Sequence, residues 1–436
     1  MIKMASFVGR NSELKTLAEV FKSNIRNCYI EAVPRSGATA LIRRFCEKHR
    51  CLYVTFPEST GAECLRSFIM AMEKYCGEPL DPDMDSFESA FRHLSKLIKG
   101  DDPVIVFDGS HHAPDEFPSA LKSFSDDNDA MIVLIGKGDS KRYDITFAEK
   151  MELGLLPYAD CSRIHPKMSP LDNLRTYMAV GGYPLYHSIM NKPDFRDNVE
   201  KNFLGTYPRL CAEAELILRQ SSVPYTCCCA ILADIAASIG RPVDIANKEG
   251  MSRQLCDIYL KKMVEEGLIR SLVPIGNSPR KPVYIISNPL IAFYFITVRM
   301  NPAIDVPGKG EYKNIEGYID MFLELRFRDI CEEYLRTHFK CTSIGRWWSK
   351  EEDTNKPTLA AIIDVDGVQQ TIVADCKFRS GKIDSGALKA FLNRAEQISD
   401  VPEKHLMMFS ISGFEDKLIK KARADHVVLI GPDELL

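Results

Sequence analysis

The amino-acid sequence predicts a multi-domain α/β protein whose N-terminal part contains a parallel-sheet core. Apolar runs at residues 27–33, 103–108 and 130–136 have the length and composition of buried strands, and segments with helical spacing separate them. A loop and then a helix directly follow the first run. With 436 residues, of which 45% are hydrophobic, the chain is long enough for about three domains.

The loop at residues 31–40 stands where a phosphate-binding loop belongs, but it lacks the lysine of such a loop. A Walker A loop reads G-x-x-x-x-G-K-[ST], and the frame here is Ala32, Gly37, Ala38 and Thr39. Backbone N–H groups at the start of the next helix still favour an anion, and a Thr hydroxyl can still hold Mg²⁺. The predicted nucleotide-binding residues are Arg35, Ser36, Gly37, Ala38 and Thr39.

The second apolar run ends in an acid, as a Walker B strand does. Asp108 closes this run, and in working enzymes such an Asp reaches the Mg²⁺ shell. The acid expected next, which orients the attacking water, is replaced by Gly109. Thr39 and Asp108 are therefore predicted metal ligands only if a Mg-nucleotide binds. The polar residues after the third run, where a γ-phosphate sensor often stands, are Lys137, Asp139 and Ser140.

Further motifs carry a resemblance to a known family. The chain opens with Phe-x-Gly-Arg-x-x-Glu-Leu over residues 7–14, and Gly-Gly-Tyr-Pro occurs at 181–184. With the degenerate loop, the Asp108 strand and residues 288–295 and 345–348, this order resembles the archaeal-type ATPases of the AAA+ superfamily. The resemblance implies an ATPase core (1–165), a helical lid (166–222), a winged helix (223–290) and a C-terminal domain related to PD-(D/E)xK nucleases (291–436).

Residues 223–290 also have the pattern of a winged helix in their own right. Helical spacing covers residues 225–238, a short segment from Pro242 and residues 251–266, and two alternating strands flank a wing at 276–282. In a helix-turn-helix, the start of the third helix faces base edges. The predicted DNA-contacting residues are Ser252, Arg253, Gln254, Lys261, Lys262, Arg280 and Lys281, with Lys248 as a further phosphate contact.

The alternative interpretation of this region is a solvated charged face that contacts proteins. Asp257, Glu265 and Glu266 dilute the basic patch. The formal net charge of -4 gives the whole chain no attraction to nucleic acid, so any DNA contact must come from a local patch. Double-stranded DNA and protein partners both stay open at this point.

The C-terminal part is predicted to be α/β with a degenerate nuclease site. PD-(D/E)xK nucleases gather metal with a helix Glu, a strand Asp and an (Asp/Glu)-x-Lys on the next strand. Asp375 and Lys377 fit the last element, but Leu359 stands where the middle acid belongs and cannot bind a hard cation. Glu332 could substitute for the helix Glu from one turn later. We therefore expect Asp375 and Lys377, like Asp108, to be vestigial catalytic residues.

Composition gives no sign of a membrane span, a signal peptide or a structural metal. No run approaches the roughly 18 apolar residues that a span requires, so we expect a cytoplasmic protein without membrane contact. The 14 cysteines form no CxxC pair, which predicts reduced and mostly buried thiols. His111 and His112 follow Asp108 closely, but adjacent side chains diverge, so we expect them to have structural roles.

Two functional hypotheses follow. In the first, the chain is a catalytically degenerate ATPase-family protein that serves as a nucleotide-binding, DNA-binding or protein-interaction scaffold with a regulatory role. In the second, it is an active ATPase in which Thr39 and Asp108 hold Mg²⁺. Arg35 or Lys137 would then replace the missing lysine, although Arg35 can equally be a surface charge. Each lost transition-state charge typically costs about 10²–10³-fold in rate, so the two losses favour the first hypothesis and ATP or ADP with Mg²⁺ is expected to bind weakly or not at all.

Overall fold

The computed structural model describes residues 7–80, 84–272, 275, 283–301, 310–347, 358–398 and 401–436. The chain divides into two compact units: the first comprises Met1–Ile164 and Gly182–Ser188, and the second comprises His165–Gly181 and Ile189–Leu436. The short segment Gly182–Ser188 thus groups with the first unit, although it lies within the stretch 166–222 that the sequence assigned to a lid. The bounds of the four domains given in the sequence analysis stay predictions.

The first unit is built on a five-stranded parallel sheet. Its strands are β1 (Asn27–Ala32), β2 (Cys51–Thr55), β3 (Val104–Asp108), β4 (Met131–Gly136) and β5 (Glu149–Leu153). Their order across the sheet is β2-β3-β4-β1-β5, and every neighbouring pair is parallel. The carboxyl ends of all five strands therefore lie at one edge, where open α/β sheets bind their ligands. The predicted parallel-sheet core is confirmed.

Helices pack on both faces of this sheet because both faces are apolar. The helices of the first unit are α1 (Asn11–Lys22), α2 (Ala38–Cys46), α3 (Gly61–Cys76), α4 (Phe87–Leu97), α5 (Phe117–Asp127) and α6 (Tyr158–Cys161). On one face α1 and α2 bury Leu17, Leu41 and Phe45. On the other face α3, α4 and α5 enclose a group of phenylalanines in edge-to-face contact, among them Phe107 of β3 and Phe117.

The second unit begins with a helical region. Its helices are α7 (Pro170–Val180), α8 (Pro184–Ile189), whose first residues belong to the first unit, α9 (Phe195–Val199) and α10 (Arg209–Arg219). A π-helical turn at Glu200–Leu204 continues α9. Ser169 caps α7 by accepting a hydrogen bond from the backbone N–H of Asp172, which explains why that helix begins at the Ser-Pro step.

Three helices and a two-stranded ribbon follow, as the winged-helix pattern predicts. They are α11 (Tyr225–Ala236), α12 (Pro242–Lys248), α13 (Arg253–Glu265), β6 (Ile269–Leu272) and β7 (Val283–Ile286). The two strands are antiparallel. Most of the connection between them, including the predicted wing at 276–282, lies outside the described residues. The next helix, α14 (Pro289–Phe293), continues into a π-helical turn at Tyr294–Arg299.

The C-terminal part is a second α/β arrangement around a mixed sheet. Its elements are α15 (Tyr312–His338), β8 (Cys341–Trp347), β9 (Thr358–Val365), β10 (Val368–Lys377), α16 (Ser385–Glu396), β11 (Lys404–Ser410), α17 (Asp416–Ala424), β12 (Val427–Ile430) and α18 (Pro432–Leu435). The strand order is β12-β11-β10-β9-β8, with β8, β9 and β10 antiparallel and β10, β11 and β12 parallel. Trp347 and Phe391 lie in its core. The predicted multi-domain α/β class is confirmed.

None of the helices in the described part of the chain is long and apolar enough to cross a membrane. The longest, α15, has 27 residues and carries charged side chains along its length. Nine of the 14 cysteines are buried, which agrees with the expectation of mostly buried thiols.

Candidate functional site

The degenerate loop joins the end of β1 to the start of α2 at the carboxyl edge of the first sheet. Gly37 precedes the helix with a φ of +91°, a left-handed conformation that glycine adopts at little cost. Arg35 is also left-handed, with a φ of +67°. The backbone N–H of Ser36 donates to the Val33 carbonyl at 3.0 Å. Because α2 begins directly after this reversal, the N–H groups of its first turn lack partners in the helix and can receive an anion.

Ala38 is the first residue of α2, and it is 9% exposed. In a working loop this position carries the ammonium group that neutralises the β- and γ-phosphates. A methyl group here leaves only backbone donors and the partial positive charge of the helix N-terminus. The site can therefore attract a phosphate. It lacks, however, the ammonium group that stabilises the negative charge of the phosphoryl group during its transfer.

Thr39 and Asp108, the two predicted metal ligands, lie in direct contact. The Thr39 hydroxyl donates to Oδ2 of Asp108 at 2.8 Å. The Tyr53 hydroxyl of β2 donates to the same oxygen at 2.7 Å. Burial and the adjacent Asp108 carboxylate raise the pKa of Tyr53, so its phenol stays protonated and keeps donating. Two neutral donors thus orient the Asp108 carboxylate, and they leave its charge available to a cation.

Gly109, which replaces the second acid, combines a left-handed backbone with a main-chain neighbour too close for a side chain. Its φ is +79°, and a Cβ added here would lie 2.7 Å from the backbone carbonyl oxygen of Phe56. The Gly109 N–H also donates to the Ile135 carbonyl of β4 at 3.0 Å, which ties this backbone to the sheet. A carboxylate side chain at this position would therefore collide with the Phe56 carbonyl, directly after β2. This local backbone leaves no room for a water-orienting acid.

Two histidines follow in a 3₁₀ turn at Ser110–His112. Their rings pack with centroids 3.9 Å apart, so they do not diverge as the sequence suggested. Burial, together with His112 and then Lys137, lowers the pKa of His111, because each disfavours a further positive charge. Nδ1 of His111 is buried without a hydrogen-bond partner among the described residues. No group of three His, Cys, Asp or Glu side chains in that part of the chain could hold a metal ion.

The residues proposed as γ-phosphate sensors have different surroundings. Lys137 is exposed just beyond β4. Asp139 accepts a hydrogen bond from the backbone N–H of Lys141 at 2.9 Å and so caps a 3₁₀ turn, while Ser140 is buried. Lys137 and Asp139 are thus exposed to solvent, whereas Ser140 is not.

Two further residues brace the loop. Arg10, from the opening motif, donates to the Ser36 carbonyl at 3.2 Å and to the Gly154 carbonyl at 2.5 Å, and it forms an ion pair with Glu13 at 2.9 Å. Pro184, from the Gly-Gly-Tyr-Pro motif, packs so closely that a Cβ on Gly37 would lie 3.3 Å from its Cγ. Both motifs that carried the family resemblance therefore contact the loop.

Five of the seven predicted DNA-contacting residues lie at the start of α13 or along it, and two of the three cations among these five form ion pairs. Ser252 caps the helix by accepting from the Leu255 N–H. Arg253 donates to both carboxylate oxygens of Asp257 at 2.9 Å, and Lys261 lies 3.9 Å from Glu265. Gln254 is exposed and Lys262 half-buried on the same helix. Arg280 and Lys281 lie outside the described residues.

Lys248, the further phosphate contact, is also paired. It forms an ion pair with the buried carboxylate of Asp234 on α11. Two large apolar side chains of α13, Leu255 and Ile258, are 39% and 53% exposed. The face that would meet DNA thus combines internally neutralised charges with exposed apolar groups.

The vestigial nuclease residues do not form a metal site. Asp375 pairs with Lys377 at 3.2 Å and with Arg394 at 3.1 Å. Leu359 is buried, and Glu332, which the sequence offered as a substitute ligand, is held by arginines instead. The carboxylate charge that a metal would require is already compensated by side-chain cations.

Comparisons with known proteins agree with this architecture. A domain-family model, DUF234, described as archaeal and bacterial proteins of unknown function, matches residues 293–389. The structure of a Walker-type ATPase of Pyrococcus abyssi, PABY2304, aligns with a TM-score of 0.50 and 15% sequence identity, over 67% of this chain and 97% of that chain.

The likeness to this Walker-type ATPase shows the fold of the chain. The resemblance inferred from the sequence motifs is thereby confirmed at the level of fold. The uncharacterised protein MJECL04 of Methanocaldococcus jannaschii is 23% identical over 374 residues, which span 80% of this chain and 83% of that protein. The structure of Drosophila ORC bound to DNA aligns at 12% identity over 67% of this chain and 87% of that chain, with a TM-score of 0.33, so the overall likeness is weak.

Sequence reasoning missed some of the contacts at this site. Tyr53 belongs to no motif, and only the register of β2 beside β3 brings it to Asp108. Arg10 was noted as part of a motif, but its contact with the loop carbonyl was not foreseen. Spacing along the chain could have suggested that Thr55, Asp108 and their neighbours share one sheet edge, since parallel strands end together.

Proposed function

We propose that this AAA+-type protein binds ATP or ADP at the degenerate loop without hydrolysing it, and that the nucleotide serves as a structural or regulatory ligand of a scaffold. The observation that carries the proposal is the backbone at Gly109. A side chain there would meet the Phe56 carbonyl at 2.7 Å, so the water-orienting acid has no room. Together with the methyl group of Ala38, this removes two contributions to turnover, each typically about 10²–10³-fold or more.

Binding requires less than hydrolysis does, and the groups for binding remain. The first turn of α2 offers backbone donors and a helix dipole to phosphate. Thr39 and Asp108, in contact at 2.8 Å, have the chemistry of a Mg²⁺ shell. Pro34 removes one loop donor, so we expect affinity in the micromolar range or weaker rather than that of a complete loop.

Isothermal titration calorimetry with ATP and ADP, each with and without Mg²⁺, tests this proposal on the full chain. We expect both nucleotides to bind and Mg²⁺ to strengthen the binding. Thr39→Val keeps the side-chain shape but removes the hydroxyl, so it should abolish the Mg²⁺-dependent part of the affinity. Thr146→Val, at an exposed position of the same unit, is the matched control and should leave both titrations unchanged.

Phosphate release over hours, measured on the same samples, separates this proposal from an active ATPase. The active alternative rests on Lys137 or Arg35 supplying the missing charge. It predicts Mg²⁺-dependent turnover that disappears in Asp108→Asn. Such turnover would refute the non-hydrolysing role, and absence of any binding heat would refute nucleotide binding itself.

We also propose that the winged helix contacts a protein rather than double-stranded DNA. Pairing of Arg253 with Asp257 and of Lys261 with Glu265 supports this, because neutralised cations release few counterions from phosphate. Exposed Leu255 and Ile258 support it as well, since DNA-binding surfaces are more polar and more positive than protein interfaces.

A mobility-shift titration on duplex DNA at low salt tests this second proposal. We expect no shift at micromolar protein, and no change in Arg253→Ala or Lys262→Ala. A shift that weakens with salt and weakens further in both variants would instead favour the DNA-reading hypothesis.

A further inference from the structure

A dense group of arginines occurs in the second unit, where β6, α15 and β8 meet. Asp329 of α15 accepts from three guanidinium groups: from Arg270 at 2.6 Å, from Arg326 at 3.0 Å and from Arg346 at 3.2 Å. Its side chain is 23% exposed, and that of Arg346 only 4%. One carboxylate thus pairs with three cations.

Glu332, one helical turn later, is shared in the same way. It lies 3.0 Å from Arg336, 3.5 Å from Arg270 and 3.7 Å from Arg346. The next residue, Glu333, accepts from the Tyr177 hydroxyl at 2.8 Å. We call the ionised residues that line the two adjoining cavities here the arginine cluster: Arg270, Arg326, Arg328, Asp329, Glu332, Glu333, Arg336 and Arg346. Five cations face three carboxylates, so positive charge is in excess.

The guanidinium N–H groups of this cluster that lack an acceptor belong to buried arginines. Nη1 of Arg346 and Nε of Arg326 are buried, and neither has a hydrogen-bond acceptor within the described ranges. Burial lowers the pKa of Arg346 despite the attraction of Asp329 and Glu332. A buried guanidinium N–H without an acceptor is unusual, because desolvating it is costly unless something else accepts the bond. Although Nη1 of Arg346 lies 3.7 Å from the Glu332 carboxylate, both N–H groups are thus open to a further acceptor.

One of the two cavities, with a volume of about 140 Å³, is lined by three of these arginines, Arg326, Arg328 and Arg346, and by Asp329. The rest of its wall is mainly aliphatic and comes from α11, the β6–β7 ribbon, α14 with its π-helical turn, and α15. These aliphatic residues are Ile235, Leu272, Val283, Ile285, Ala292, Ile296 and Leu325. Arg328 forms no ion pair within 4.0 Å among the described residues, although it lines the cavity. An apolar wall with a few convergent polar groups is the usual form of a small-molecule site.

We propose that this cavity binds a small organic carboxylate, with its apolar body against the aliphatic wall and its carboxylate on the guanidinium groups that line the cavity. The planar fork of a guanidinium matches a carboxylate in two hydrogen bonds. A carboxylate fits better than a phosphate because a monoanion is less costly to transfer from water into an aliphatic cavity than a dianion. The site shares no residue with the degenerate phosphate loop, so it stands independently of nucleotide binding.

Thermal unfolding of the full chain with four additives below any micellar concentration tests this directly. The additives are octanoate, acetate, octylammonium and inorganic phosphate. We expect only octanoate to raise the unfolding temperature, and titration calorimetry to give a saturable, one-site isotherm for it. Equal shifts with octylammonium would mean that the cavity selects apolar chains alone, and no shift with octanoate would mean that it binds no such anion; either result overturns the proposal. An equal shift with phosphate or acetate would likewise overturn the proposal, because it would show that the aliphatic wall does not contribute to binding.

Variants chosen to preserve the fold sharpen the test. Arg328→Gln removes a cavity cation that makes no ion pair, and it should weaken octanoate binding about tenfold, which corresponds to one lost charge-assisted hydrogen bond. Ala236→Leu fills the cavity from the end of α11 and should weaken binding at least as much. Arg336→Gln is the matched control, since it removes a guanidinium of the same cluster that does not line this cavity. If all three variants bind octanoate as tightly as the wild type, the ligand sits elsewhere and the proposal fails.

Discussion

The phosphate loop of the first unit lacks a positively charged side chain, whereas the arginine cluster of the second unit has more cations than carboxylates. At the loop the backbone is that of an anion site, but Ala38 supplies no cation. In the cluster, cations outnumber carboxylates, and Arg346 keeps a buried N–H without an acceptor. The difference teaches that backbone shape and side-chain charge are separate requirements, because apolar packing maintains the first whether or not the second is present.

The largest effect should come from removing the carboxylate at the centre of the cluster. Asp329→Asn leaves three guanidinium groups without their shared partner, so we expect the free energy of unfolding to fall by about 2–4 kcal/mol in urea titrations. Asp320→Asn, at an exposed position of the same helix, should change it by less than about 0.5 kcal/mol. Comparable losses in both variants would mean that α15 itself, and not the cluster, is sensitive.

The same residue gives a prediction for pH. Burial alone would raise the pKa of Asp329, but Arg326, Arg270 and Arg346 together lower it below its ordinary value. A carboxyl group with a lowered folded-state pKa stabilises the protein above its unfolded-state pKa, about 3.9, and loses that contribution as the pH falls through the folded-state value. The stability difference between wild type and Asp329→Asn should therefore be constant above about pH 5 and shrink below about pH 4. A difference that grows on acidification would contradict the assignment.

Restoring the missing cation should strengthen nucleotide binding but should not restore hydrolysis. Ala38→Lys is expected to strengthen ATP binding about tenfold, since one charge-assisted contact with phosphate is worth roughly 1.4 kcal/mol or more. Phosphate release should stay at the background rate, because Gly109 still supplies no acid. Calorimetry and a phosphate assay check the two parts. Met70→Lys adds the same charge at a position of α3 that is 61% exposed and lies outside the loop, and it is the control.

A smaller effect is expected where Tyr53 supports Asp108. Tyr53→Phe removes one of the two donors to Oδ2 of Asp108 and should cost about 1 kcal/mol of unfolding free energy. Tyr207→Phe, at a side chain that is 86% exposed, should cost nothing measurable. Equal behaviour of the two variants would mean that Thr39 alone orients the carboxylate.

The smallest effect should come from the outer edge of the cluster. The side chain of Arg336 is 56% exposed, and exposed ion pairs contribute little. Arg336→Gln should lower the free energy of unfolding by less than about 1 kcal/mol in the same urea titrations. A loss as large as that of Asp329→Asn would mean that the pair with Glu332 is as important as the centre.

Much of the fold was predictable because it depends on patterns within short stretches of sequence. The apolar runs ending at Asp108 and near Gly136 form β3 and β4, and the helices predicted over 225–238 and 251–266 form α11 and α13 with ends shifted by one or two residues. The phosphate loop was recognisable because its spacing is local. In each of these cases a few consecutive residues determine the local structure.

The charge environment was not predictable because it depends on tertiary contacts. Arg270, Asp329 and Arg346 are separated by dozens of residues, and only the packing of β6, α15 and β8 brings them together. Glu332 was therefore considered as a metal ligand, although in the structure it accepts from arginines. Likewise nothing near Tyr53 in the sequence indicates a partner on β3.

The close approach of position 109 to the Phe56 carbonyl has a consequence for attempts to install an acid there. A side chain at position 109 requires the main chain around Phe56 or Gly109 to move, because its Cβ would lie 2.7 Å from the carbonyl oxygen. Gly109→Glu alone should accordingly produce no turnover, and a laboratory selection for phosphate release should yield an acid together with changes in the connections beyond β2 and β3.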